Sequence, residues 1–296
     1  MSNDNPKSEA GKRGHAFLAE FRLSGNLDAA KAAFNAEERP HVTKPGWLSH
    51  SSLASLQECP TRFYLSRILA LQPRDLRTDA SKAEEVMEAA SLCAQTLDAC
   101  LWLAPTLDEQ DRFRALGTEV YLESQEPWRY RGFVDELAYD LQTDCLAVID
   151  NKFTFRDDAR VALRMLYGDQ MPLYAAIWNQ HHEAWGLPPI RELVTRVIVV
   201  NAKGKHKLMP AEVRYFSHVQ EKAFLLRALW NQEQAGAFAC QALDRGFEYA
   251  AQFMRPNACM GWKACPYIPV CHHGMAPETN DRFVIESEQE ENTDEA

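Results

Sequence analysis

Gly132-Phe133-Val134-Asp135, followed after one turn by Val148-Ile149-Asp150-Asn151-Lys152, decides how this chain folds. A strand alternates its faces with period two, so Asp150 and Lys152 project on the same side of theirs. Asp135 lies on the preceding run and comes within reach if the two strands pair. Two carboxylates beside an ammonium are costly to bury unless they hold a cation or meet an anionic partner. A divalent metal and a phosphodiester together satisfy both conditions.

Outward from this hairpin, residues 119–123, 130–139 and 145–155 are rich in β-branched and aromatic side chains, and the polar stretch 140–144 reads as the turn between the last two. Residues 169–185 return to helix. A β-branched run at 193–201 predicts a core strand, paired across the Lys203-Gly204-Lys205 turn with 213–216, before helix resumes over 219–245. Upstream, 81–103 reads as a long helix, and another starts at Ser51 or Ser52 with Pro60 opening a new turn. Short helices are predicted at 15–23 and 27–34. Helices, then an antiparallel stretch, then helix and strand describe an α/β or α+β domain. The expected division is a polar N-terminal extension (1–46), a main domain (47–274) and an acidic, disordered tail (275–296).

The chemistry follows from the charges. Mg²⁺ suits one or two carboxylates plus water and substrate phosphate. Asp135 and Asp150 are candidate metal ligands, joined by the backbone carbonyl of Asn151. Lys152 is placed to orient a nucleophilic water or to stabilise transition-state charge. An ordinary ion pair between strand ends explains a lone Asp-x-Lys equally well. Here, however, the triplet emerges directly from the apolar run Leu146-Ala147-Val148-Ile149, one hairpin after a Gly-x-x-Asp.

In these residues the chain resembles the PD-(D/E)XK nuclease superfamily, and specifically its RecB-like branch. That branch has a Gly-x-x-Asp strand, an apolar strand ending in Asp/Glu-x-Lys, and a helix carrying Gln and Tyr, matched here by Gln170 and Tyr174. The resemblance implies a restriction-endonuclease-like core, a central mixed sheet flanked by helices. It also implies metal-dependent DNA cleavage with Mg²⁺ or Mn²⁺, and catalytic roles for Asp135, Asp150, Lys152, Gln170 and Tyr174. The branch often places a metal-binding His in a Gly-x-x-x-His pattern on the helix before the first strand. The stretch 83–88 contains no His, and Glu84, Glu85 and Glu88 are the oxygen donors it offers.

Eight cysteines divide into two groups. Cys93, Cys100, Cys145 and Cys240 sit singly among apolar neighbours, as small buried thiols do. Cys259, Cys265 and Cys271 recur at even spacing and need a fourth ligand for tetrahedral zinc or a cubane cluster. Cys59, in Cys59-Pro60-Thr61-Arg62-Phe63-Tyr64, is the best candidate. Members of the RecB-like branch share this layout, one Cys-Pro segment upstream and three cysteines near the end. The resemblance therefore implies a 4Fe-4S cluster on Cys59, Cys259, Cys265 and Cys271 that staples a helical region, with Zn²⁺ as the alternative.

The net charge of −10 does not exclude nucleic acid, because residues 277–296 alone hold eight acids and one base. Arg62, Arg67, Arg74, Arg77 and Lys82 lie near Phe63 and Tyr64, a combination that suits single-stranded nucleic acid but also suits a solvated helix face. No apolar run reaches the ~18–20 residues that span a bilayer, and the start of the chain lacks a signal-peptide core. The expectation is a cytoplasmic enzyme without a membrane partner. It would act on single-stranded DNA or free ends as an exonuclease in repair, recombination, phage DNA processing or CRISPR adaptation, with any helicase or recombination partner on a separate chain. The rivals are a catalytically silent DNA-binding or assembly subunit that keeps the fold and the cluster, and a zinc-stapled RNA-processing factor.

Overall fold

A computed structural model describes residues 6–36, 48–73, 79–109, 112–124, 129–155, 169–200, 212–219, 222–255, 259, 265–273 and 283–285. The chain divides into two compact units: one from residues 1–42, 78–123 and 132–229, the other from 43–77, 124–131 and 230–296.

The first unit is built on a five-stranded mixed sheet. Its strands are β2 (Phe113–Ser124), β3 (Tyr130–Asp140), β4 (Cys145–Thr154), β5 (Ile190–Val199) and β6 (Glu212–Val219), in that spatial order. The β3–β4 hairpin is antiparallel with Glu136 opposite Ile149; β4 and β5 run parallel with Asp150 opposite Thr195; β5 and β6 are antiparallel. The run Leu146-Ala147-Val148-Ile149 is buried throughout, which explains why the strand shows no polar alternation before the charged triplet. Three helices, α1 (Pro6–Ser24), α2 (Leu27–Asn35) and α5 (Asp79–Glu109), share a core through Phe17, Phe21, Phe34, Leu103 and Leu107, with Ile198 of β5 and Phe153 of β4 against it. Asn26 caps α2 by accepting from the amides of Asp28 and Ala29. A further helix, α6 (Gln170–His181), packs on β4 and β5.

The expected mixed sheet with flanking helices is thus present. Within the expected N-terminal extension 1–46, α1 and α2 belong to the compact unit that contains the sheet and contribute to its core. Their apolar residues are too few per turn to look like core in isolation; it is α5 that completes the apolar layer.

The second unit holds α3 (His50–Glu58), α4 (Pro60–Phe63), a π turn (Tyr64–Ile68), β1 (Leu71–Pro73), most of α7 (Lys222–Ala251), α8 (Ile268–His273) and β7 (Phe283–Ile285). Cys59 ends α3, and Pro60 opens α4 at the first helical position, where its missing N–H costs nothing. β1 and β7 pair antiparallel, Leu71 opposite Ile285. Tyr267 stacks on Phe283 with centroids 5.5 Å apart and donates its hydroxyl to the Leu71 carbonyl at 2.7 Å. Within the tail expected from 275 onward, residues 283–285 form a strand. The apolar triplet Phe283-Val284-Ile285 pairs as a strand although the surrounding sequence is acidic. No helix among the described residues is long and apolar enough to cross a membrane.

Candidate metal and active site

Pairing of β3 with β4 brings the expected charges together. The Asp135 carboxylate accepts the backbone N–H of Asn151 at 2.8 Å, and Lys152 donates to Asp150 at 2.8 Å. Asp150 is 2% exposed, and its Oδ2 is buried without a hydrogen-bond partner among the described residues. A buried carboxylate oxygen left unpaired costs free energy unless something fills its valence. Burial and the nearby Asp135 push the Asp150 carboxyl up to about 6, although Lys152 opposes them. Burial alone would also raise Asp135, but His15, Lys152 and the Asn151 amide outweigh it and hold the group below its usual range. For Lys152, burial is outweighed by Asp150 and Asp135, so the ammonium stays charged well above its ordinary range.

Two participants come from places that local pattern did not mark. His15, in the middle of α1, sets Nδ1 3.2 Å from Asp135 Oδ2. Burial pulls its imidazole down, yet the charge of Asp135 and its hydrogen bond lift it above the ordinary value. Glu119 of β2 adopts φ +49, and its carboxyl is raised by burial and then by Asp135. Donor atoms of His15, Glu119 and Asp135 all lie within 4.8 Å of one another. With the orphaned Asp150 oxygen beside them, these nitrogen and oxygen donors suit a divalent cation.

No His stands in 83–88; the imidazole beside Asp135 is His15, and Gly11-Lys12-Arg13-Gly14-His15 is a Gly-x-x-x-His stretch. Glu84 and Glu88 are exposed on α5, and the carboxylate found beside His15 and Asp135 is Glu119.

Glycines allow this crowding at two points. A Cβ on Gly14 would stand 2.5 Å from the Phe153 ring, and one on Gly132 would stand 2.6 Å from the Tyr174 ring. The first lets α1 carry His15 onto the end of β4. The second lets Tyr174 lie over the Gly-x-x-Asp strand. Gln170 donates to the Tyr174 hydroxyl at 3.3 Å, and burial, with Asp150 and Asp135, raises that phenol to about 12. The predicted Gln and Tyr are therefore both at the site. The Asn151 side chain faces away: its Oδ1 accepts from Arg196 at 3.1 Å, and Arg196 also pairs with Glu136 at 2.9 Å. Only the main chain of Asn151 is left for a metal.

A second compact set, Asp140, Cys145 and Glu192, differs in kind. Arg112 bonds both acids at 2.8 Å, and Asp140 also accepts from Thr143 and the Gln142 amide. Its valences are filled from within the protein.

The four predicted cysteines all lie in the second unit. Cys59 and Cys259 are buried, and the Cys265 amide donates to the Cys259 carbonyl at 3.0 Å. The Cys271 thiol is pushed up to about 12 by burial and then by Cys265, Cys59 and Cys259. The Cys259 thiol is likewise raised by burial and then by Cys265 and Cys59. Soft, crowded thiols of this kind suit zinc or an iron–sulfur cluster. Lys203, Lys205, His206, Lys207, Arg74 and Arg77 lie outside the described residues.

A sequence model of the PD-(D/E)XK nuclease superfamily matches residues 88–272, which include the hairpin, α6 and the three late cysteines but neither His15 nor Cys59. No curated protein matches the chain. Among solved structures, the crystal structure of SSO0001 aligns over 88% of this chain and 97% of its own at 13% identity, with a TM-score of 0.36, a likeness too slight to support an argument.

Proposed function

The chain belongs to the PD-(D/E)XK nuclease superfamily, and on that premise we propose that it is a metal-dependent deoxyribonuclease of the RecB-like kind. It acts as an exonuclease on single-stranded DNA or free ends, and it carries a 4Fe-4S cluster on Cys59, Cys259, Cys265 and Cys271. The supporting observation is the buried, unpartnered Oδ2 of Asp150 beside Asp135, Lys152 and His15.

Asp135, Asp150, the Asn151 carbonyl, His15 and Glu119 would hold Mg²⁺ or Mn²⁺. The cation supplies Lewis acidity toward the phosphate and acidifies water. The protein's own groups do the rest. Lys152 remains an ammonium at neutral pH, so it serves as a cationic donor to the attacking water and the phosphoryl oxygens, not as a base. His15 and the Asn151 amide fix the Asp135 carboxylate from two sides. Tyr174 keeps its proton and, steadied by Gln170, offers a donor to the bound strand.

His15 beside Asp135 favours this reading over a catalytically silent subunit. The biological setting we favour is DNA repair, recombination, phage DNA processing or CRISPR adaptation, alongside a separate helicase or recombination chain.

Labelled single- and double-stranded DNA, incubated with Mg²⁺ or Mn²⁺, tests this reading. Asp150→Ala is expected to lower cleavage by at least on the order of 10²–10³-fold; equal cleavage by both proteins overturns the assignment. Anaerobically purified Cys59→Ser is expected to lose the brown chromophore and to melt at a lower temperature. Retention of both iron and stability removes Cys59 from the ligand set, and zinc in place of iron in the wild type removes the cluster.

A further inference from the structure

Beyond the carboxylates, the surface of the sheet changes character. Two residues forward along β2 from Glu119 stands Tyr121, and two residues back along β3 from Asp135 stands Phe133. Donor atoms of Glu119 and Asp135 lie within 4.8 Å of each other, so the two acids, and with them the residues two positions along, come from strands that are neighbours in the sheet. The two rings touch, with centroids 5.2 Å apart and planes inclined at 55°. Tyr121 is 43% exposed and Phe133 37%, so neither ring serves the core. Glu123 accepts the Tyr121 hydroxyl at 2.7 Å and tethers that ring by its polar tip.

Single exposed aromatics are ordinary on protein surfaces. Two in mutual contact, about 7 Å along the strands from a metal-binding carboxylate, are not scattered. A phosphate drawn to the cation and Lys152 brings the base of its own or the next nucleotide within reach of the rings. Aromatic faces stack on any base whose own face is free, and duplex bases have none to offer.

Resting on the nuclease reading above, we propose that Tyr121 and Phe133 form a stacking platform for an unpaired nucleobase next to the scissile phosphate, which makes single-stranded DNA or a frayed end the preferred substrate.

Binding of a short single-stranded oligodeoxynucleotide, with Ca²⁺ replacing Mg²⁺ to hold off cleavage, is compared with binding of the same strand made abasic. Phe133→Ala and Tyr121→Ala are each expected to weaken binding of the intact strand by about 5- to 150-fold and to leave the abasic strand unchanged. Phe133→Trp is expected to retain affinity. Equal losses on both probes, or no loss on either, overturn the platform, as does wild-type protein that binds duplex as tightly as single strand. If the wild type still cleaves with Mg²⁺ in those cases, the nuclease reading stands without the platform. Wild-type protein that neither binds nor cleaves takes both down.

Discussion

The two faces of the β3–β4 hairpin carry nearly the same residues to opposite ends. On one face, Glu136 receives Arg196 at 2.9 Å and Arg22 at 2.8 Å, while Asn151 accepts from Arg196; Arg22 also donates to the Leu107 carbonyl at 3.1 Å. On the other face, one residue away along each strand, Asp135 and Asp150 crowd together with Lys152 and leave an oxygen unfilled. Burial therefore does not separate a structural charge from a functional one. The carboxylates differ: both oxygens of Glu136 are paired, whereas Asp150 Oδ2 has no partner among the described residues.

That contrast is most sharply tested by removing one acid from each face. Glu136→Ala leaves Arg196, fully buried, without its acid, and is expected to cost about 3–5 kcal/mol in denaturant unfolding. A small cost would mean that this face is not structural after all. Smaller, and opposite in sense, is the effect expected on the unsaturated face. Because Asp150 titrates near 6 when folded against 3.8 ordinarily, its ionised form is disfavoured by folding. The wild type, freed of metal with a chelator, should therefore lose stability relative to Asp150→Asn as pH rises from about 4 to about 6, on the order of 2–3 kcal/mol. Divalent cation should cancel the loss, and a flat difference across that range would deny the strain at Asp150. The smallest expected effect belongs to Gly132→Ala. Its methyl would press on the Tyr174 ring, lowering stability by about 1–3 kcal/mol and cleavage with it. Unchanged cleavage would show that Tyr174 need not lie over this strand.

The contrast also explains what sequence revealed. Asp135, Asp150 and Lys152 were legible because strand period and a short turn bring them together locally. Gln170 and Tyr174 were legible only through family resemblance, since an amide and a buried phenol have no spacing of their own. His15 was missed because its pattern lies in α1, 120 residues before Asp135, in a segment that looked like an extension. Glu119 was missed because nothing in a β-rich run announces a left-handed residue. Arg196 requires the parallel register of β4 with β5, which no local signal encodes. Phe283-Val284-Ile285 was hidden by averaging over an acidic tail.

The β1–β7 pair has a consequence for how the protein is made. Leu71 leaves the ribosome long before its partner Ile285, and at ~5–20 residues per second the interval is roughly 10–40 s. Until then Tyr267 and Phe283 are not yet available to cover Leu71 and Leu65. The segment around Cys59 therefore waits, half-assembled, for residues 267–285, and synthesis halted before them would leave the sheet unit beside a companion that had never closed.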